Sequence, residues 1–238
     1  EMTAAHSPKG RFLAAIGELD VVVAAHTKPS ATDRQAQGKL NVLFILVDDL
    51  GWSDLGCYGN EIHETPLIDK LAAGGMRFTE GYAACPICGP SRAAIMTGKF
   101  PSRTGFTDNY ISRVKKTRQF MKLEEFTLAE AFKAGGYQTG FVGKWHLAAD
   151  NKSRLPTGQG FAVTVAASSR GHPYKGFFSP YHMPALENGP EGEYLTDRLT
   201  SEAIQVMDDF SKRDKPWLLY MSYYTVHGPL HSKKEKTK

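Results

Sequence analysis

Cysteine is scarce in this chain, with three residues in 238: Cys57, Cys85 and Cys88. That excludes a disulfide-stapled scaffold. Structural zinc sites normally take four ligands, and no histidine lies close to the Cys85–Cys88 pair to complete one. Charge of one sign is barely in excess: 29 Lys and Arg against 25 Asp and Glu give a net charge of +4. This balance gives no reason to expect a nucleic-acid partner, although it suits an anionic substrate. Beyond the first forty residues no apolar run is long enough to span a membrane, so stable membrane insertion is not expected. Internal repeats and long low-complexity tracts are also missing. What remains, at 41% hydrophobic and 23% charged residues, is enough to bury a core as one or two domains. The basic end HSKKEKTK reads as a solvated helix face or a frayed terminus.

Near the N-terminus, Lys9 and Arg11 precede FLAAI and VVVAA, the order of a charged and then an apolar region in a secretory signal. Glu18 and Asp20 interrupt the apolar part. An acidic residue at the centre of an inserting helix costs about 2.5–3.5 kcal/mol, so two make a poor signal. Residues 1–39 are therefore read as a degraded signal-like segment followed by a polar linker, TKPSATDRQAQGK, ending at Lys39. The expected location is periplasmic or secreted.

From Leu40 a strand, turn and helix pattern repeats. NVLFILV is a continuous apolar run, as in a parallel strand buried on both faces, and it ends in Asp48-Asp49. Thr65-Pro66 opens a short helix stopped at Gly74-Gly75, and MRFTEGY follows as a short strand. Thr127 and Glu130 form a capping box for a helix ending at Gly135-Gly136. The strand YQTGFVG then runs into Lys144-Trp145-His146. Leu195, Leu199, Ala203, Val206, Met207 and Phe210 recur at helical spacing ahead of the strand WLLYMSYY, which runs into His227. Three strands thus deliver Asp48, Asp49, Lys144, His146 and His227 just past their C-terminal ends. In open α/β sheets that edge is where ligands bind.

The stretch CPICGPSRAAIMTGKFPSRTG carries the remaining chemistry. Pro90 suits the first turn of a helix, where its missing N–H costs nothing, and the spacing predicts a helix from Pro90 to Met96. Cys88 then sits at a helix N-terminus, whose free N–H groups favour an anion, with Arg92 one turn along. The C-x-x-C spacing of Cys85 and Cys88 leaves a redox pair or half of a zinc site open.

The run C-x-P-S-R, then a short apolar stretch and T-G, resembles the signature of the formylglycine-dependent (type I) sulfatases. Three further segments are similar to segments of the same family: VDDLGWSDLGCYGN, GYQTGFVGKWHL and LLYMSYYTVHGPL. The tract from PTGQGF through FFSPY to GPEGEYLTDRLTSEA is closest in flavour to bacterial sulfatases of sulfated sugars. The resemblance covers nearly everything from Leu40 to about Leu230.

It implies an alkaline-phosphatase-like α/β fold, a mostly parallel central sheet with helices on both faces. It also implies a sulfuric ester hydrolase that releases sulfate from a sulfated carbohydrate or aryl sulfate. Cys88 would be oxidised to formylglycine by a formylglycine-generating enzyme. Asp48, Asp49 and the hydrated aldehyde at position 88 would hold one Ca2+, with Arg92 and Lys144 stabilising charge. His227 would protonate the leaving alcohol, and His146 would take a proton from the second hydroxyl of the hydrate. His172, in RGHPY, is a further candidate on the substrate side.

Three departures stand out. The family usually has glycine where this chain has Ala148, and a glycine pair where Ala166-Ala167 stands, so loops needing positive φ are expected to be strained there. The chain stops at Lys238, whereas the family continues into a C-terminal half with further metal ligands and another lysine. Residues 40–238 are therefore read as the N-terminal portion of a catalytic domain. Two alternatives follow: a truncated sulfatase-like protein without turnover, or a related phosphate or phosphonate ester hydrolase.

Overall fold

A computed structural model of the protein describes residues 3–4, 11–16, 20–26, 39–109, 120–149 and 151–236. Its centre is one eight-stranded sheet. In chain order the strands are β1 (Thr3–Ala4), β2 (Arg11–Ile16), β3 (Asp20–His26), β4 (Val42–Asp48), β5 (Met76–Arg77), β6 (Gln138–Gly143), β7 (Val163–Val165) and β8 (Trp217–Ser222). Their spatial order is β1-β5-β2-β3-β4-β8-β6-β7. Strands β4, β8, β6 and β7 run parallel, with Phe44 opposite Tyr220 and Phe141 opposite Tyr220 on its other side. Strand β3 pairs antiparallel with both β2 and β4.

The side chains of the central strands alternate with period two, so each strand supplies both faces. Leu46, Phe141, Leu218 and Tyr220 enter one core with Ala93, Met96, Ala129 and Phe161. Val142, Leu219 and Met221 enter the other with Leu195, Leu199, Val206 and Phe210. The first face is covered by α2 (Cys88–Thr97) and α4 (Leu128–Ala134), and the second by the long amphipathic α5 (Leu195–Ser211). Helices on both faces explain why the middle strands read as unbroken apolar runs. Helices α1 (Pro66–Ala73) and α3 (Pro101–Thr104) complete the set, each opened by a proline where a missing N–H is harmless. Among the described residues no helix is long and apolar enough to cross a membrane.

Several boundaries depart from the sequence pattern for identifiable reasons. FLAAI and VVVAA, read above as signal-like, lie in β2 and β3, which pair from Arg11 with His26 to Ile16 with Val21. Each apolar run is short, and the β-branched Val21–Val23 suits a pleated ladder. The linker at 27–38 lies outside the described residues. Helix α2 opens at Cys88 rather than at Pro90, because the first four N–H groups of a helix are unpaired and proline is tolerated at the third position. The strand expected over MRFTEGY is confined to Met76–Arg77, since its pairings with β1 and β2 cover only two residues each. The Thr127–Glu130 capping box forms as expected: Thr127 Oγ1 accepts from the Glu130 N–H, and Glu130 Oε2 accepts from the Thr127 N–H.

Candidate active site

The C-terminal ends of β4, β6 and β8 are fastened to one another beyond the ladder. The Asp48 N–H donates to the Thr225 carbonyl at 2.8 Å, and the Val226 N–H to the Asp48 carbonyl at 2.6 Å. The Lys144 N–H donates to the Ser222 carbonyl at 2.9 Å. Gly143 makes this approach possible: its φ is 103°, and a Cβ there would stand 1.8 Å from the Ser222 oxygen. The crossing turns Lys144 inward, so that the side chains following β4 and β6 meet.

At the meeting point Asp48, Arg92 and Lys144 are buried together. Arg92 Nη2 donates to Asp48 Oδ1 at 2.8 Å, and Lys144 Nζ donates to the other oxygen, Asp48 Oδ2. Arg92 Nη1 is shared between the Lys144 carbonyl at 2.9 Å and Ser222 Oγ at 2.6 Å. Burial pushes the Asp48 carboxyl upward, but the flanking Arg92 and Lys144 charges outweigh it and hold the carboxyl below its ordinary value. Two cations against one carboxylate leave this core with an excess positive charge.

Cys88 is the first residue of α2, one helical turn before Arg92. Its Sγ lies 3.4 Å from His146 Nδ1 and accepts a hydrogen bond from Asn109 Nδ2 at 2.8 Å. His146 has a φ of 61° and is tied back by its N–H to the Ser168 carbonyl at 3.2 Å. Burial, reinforced by Lys144 and Arg92, depresses its pKa to about 3, so the imidazole is neutral at ordinary pH. Between them, Trp145 is fully buried, edge-on to Phe141 and Phe161, and its indole N–H donates to the Arg154 carbonyl at 2.7 Å.

Toward solvent, Asp49 and His227 face each other, with Nε2 3.9 Å from Oδ2. His227 Nδ1 donates to the Gly228 carbonyl at 2.6 Å, which leaves Nε2 as the nitrogen facing the site. Asp48, Asp49 and His227 each place one ligand atom within 4.8 Å of the others. This donor set fits a divalent cation. Its two carboxylates are the hard oxygen ligands that calcium or magnesium prefers, and each Asp48 oxygen retains lone-pair capacity beside its cation partner.

Seven of the eight residues singled out from the sequence gather at this edge: Asp48, Asp49, Cys88, Arg92, Lys144, His146 and His227. Cys88 is held by His146 and Asn109 and is not a member of the Asp48–Asp49–His227 group. His172 is less engaged. Its Nδ1 is paired with the carbonyl of the adjacent Pro173 at 3.0 Å, although its loop runs so close that a Cβ on Gly171 would meet the His146 ring at 2.5 Å. Asn109 and Ser222 escaped the sequence reading. Ser222, the last residue of a strand leading to His227, carried a positional signal; Asn109 carried none. Of the alanines that replace expected glycines, Ala166 has the positive φ, 58°, while the strained position near Ala148 is Ala149, at 46°. All three cysteines are free, so Cys85 and Cys88 form no redox bridge.

Fold and site together define an α/β protein whose parallel-sheet edge holds a helix-terminal cysteine, a neutral histidine and an excess of buried cations. The chain belongs to the sulfatase family, whose model matches residues 40–238. It is 46% identical over 220 residues to bovine (Bos taurus) arylsulfatase A, a match covering 81% of this chain and 42% of that protein. It is 36% identical to the N-acetylgalactosamine-6-sulfatase of the dog (Canis lupus familiaris) over 81% of this chain and 40% of the relative. The crystal structure of Ps i-CgsB superposes with a TM-score of 0.67 at 30% identity, covering 81% of this chain and 46% of the other. Another similar structure holds its substrate D-glucosamine-2-N,6-O-disulfate, with a TM-score of 0.63 and 29% identity over 79% of this chain and 34% of the other. The chain thus spans about two-fifths of the length of the curated relatives it matches.

Proposed function

We propose that this chain carries the nucleophile half of a sulfatase active site, one that hydrolyses a sulfate ester on a sugar or aryl alcohol. The observation that supports this most directly is the placement of Cys88 at the start of α2, 3.4 Å from the His146 ring and one helical turn before Arg92, which is itself held on Asp48 beside Lys144. The sulfated sugar in the similar substrate complex and the N-acetylgalactosamine-6-sulfatase relatives favour a glycan sulfate.

Oxidised to formylglycine, position 88 would supply a hydrated aldehyde, and its hydroxyl oxygen would be the nucleophile toward sulfur. Asp48 and Asp49 would hold a calcium ion, which would supply further charge neutralisation. The chain's own groups do the rest. Arg92 and Lys144 are fixed on Asp48 and present their remaining positive field to the sulfuryl oxygens without having to reorganise. His146, neutral and 3.4 Å from the position-88 side chain, accepts the proton that leaves a hydroxyl there. His227, its Nδ1 anchored on the Gly228 carbonyl, presents Nε2 at the open side beside the Asp49 carboxylate; in its imidazolium form it gives the Nε2 proton to the leaving alcohol and is left neutral.

The test is to produce the full chain with a formylglycine-generating enzyme, analyse the peptide containing position 88 by mass spectrometry, and assay sulfate release from an aryl sulfate and from 6-sulfated hexosamines. An aldehyde at position 88 and sulfate release abolished by Cys88→Ala are expected. Release by protein whose Cys88 remains a thiol overturns the proposal, as does a preference for phosphate over sulfate esters.

A further inference from the structure

Asn109 touches the position-88 side chain and has no part in the scheme above. Its Nδ2 lies 2.8 Å from Cys88 Sγ, and its Oδ1 accepts from the Gly89 N–H at 3.0 Å. The second bond fixes the sense of the first. A backbone N–H can only donate, so Oδ1 must face Gly89 and the NH2 group must face sulfur. On the other flank stands His146 Nδ1, 3.4 Å from the sulfur. The position-88 side chain is therefore held between a fixed donor, the Asn109 amide, and the His146 ring.

The approach of Asn109 is built into the residue that follows the cysteine. A Cβ on Gly89 would stand 2.2 Å from Asn109 Oδ1 and 2.7 Å from Phe106 Cζ. The signature C-x-P-S-R leaves that position open, yet here only glycine admits the amide. Phe106 is fully buried below it, so the segment carrying Asn109 is packed against α2.

We infer that Asn109 is a positioning residue for the nucleophile: its amide donates a hydrogen bond to the position-88 side chain and selects the rotamer that faces His146. The inference rests on the proposed sulfatase reading, with Asn109 donating to sulfur before maturation and to a hydroxyl oxygen of position 88 after it. A hydroxyl fixed by a donor on one side and His146 on the other gives up its proton in a single direction. Misplacement by about 1 Å can cost on the order of 10²-fold in rate.

Asn109→Asp is the informative variant. It is isosteric and still accepts from the Gly89 N–H, so a merely structural role is preserved while the donor to position 88 is lost. Two measurements are needed. In the unmatured chain, the side-chain NH2 resonances of Asn109, identified by their loss in Asn109→Ala, should shift on Cys88→Ala; unmoved resonances overturn the contact whether or not the protein is a sulfatase. In the matured chain, kcat for aryl sulfate, normalised to aldehyde content, should fall at least about tenfold in Asn109→Asp with KM within about twofold. Gly89→Ala should show the same split. Normal kcat per aldehyde in Asn109→Asp overturns the positioning role. A wild-type chain that is fully converted to aldehyde yet releases no sulfate overturns the sulfatase reading and with it the catalytic part of this inference, while the resonance shift still decides the contact.

Discussion

Asp48 is fully enclosed, with one carboxylate oxygen on Arg92 and the other on Lys144, while Asp49, one residue later, keeps its side chain 43% exposed and stands 3.9 Å from His227. The two differ because β4 ends between them. Asp48 still has strand geometry and points into the sheet edge, whereas Asp49 has a φ of 59° and turns outward. A buried carboxylate between two cations is structural as well as electrostatic, because each charge is tolerable only while the others remain. An exposed carboxylate facing an imidazole can be spent on a ligand. Adjacent, chemically identical residues thus divide into a keystone and a contact.

The sharpest way to break this contrast is Asp48→Ala. It strands Arg92 and Lys144 as buried, uncompensated cations, and losing one partner of a buried ion pair costs about 3–5 kcal/mol. Urea denaturation of the variant should show a loss of that order; a loss below about 1 kcal/mol would mean that water already compensates the cluster.

Acid probes the same enclosure more gently. Burial and the neighbouring cations hold His146 at about 3, against an ordinary value of 6.5. The unfolded chain therefore takes up a proton that the folded chain refuses. Stability from this group is fully present above about pH 6.5 and is lost progressively as pH falls toward 3. His146→Gln should flatten the decline in thermal midpoint across that window, and an unchanged pH slope would remove His146 from the account.

The mildest expected effect belongs to Asp49→Asn. Asparagine tolerates a positive φ, and the site is exposed, so stability should stay within about 0.5 kcal/mol of wild type. Divalent-cation affinity, measured by calorimetry, should drop by at least about tenfold. A large stability loss with unchanged cation affinity would reverse the roles assigned to the two aspartates.

Most of the site was legible in the sequence, but the division between the two aspartates was not. Asp48, Lys144 and His227 each follow an apolar run, and the motif around Cys88 names Arg92. Sequence pattern marks where a strand ends but not which way the next side chain turns, so Asp48 and Asp49 read as one pair. Asn109 was illegible for a related reason: it is 21 residues from Cys88 and reaches it only because α3 folds back on α2 and Gly89 leaves the space. In β2 and β3 the difficulty was different. Short apolar runs behind basic residues satisfy a signal-like pattern and a strand equally well, and the same residues lie in the ladder with β4.

The buried indole of Trp145 gives the site an optical consequence. The chain has three tryptophans, of which Trp52 is 48% exposed and Trp145 lies within the core, one residue from both Lys144 and His146. Trp217 is half-buried against the second core, so blue-shifted emission that resists acrylamide is shared by Trp145 and Trp217, and the part lost in Trp145→Phe reports on the site. Loosening of the loop beyond β6 would reach the detector as a red shift before the strands themselves separate.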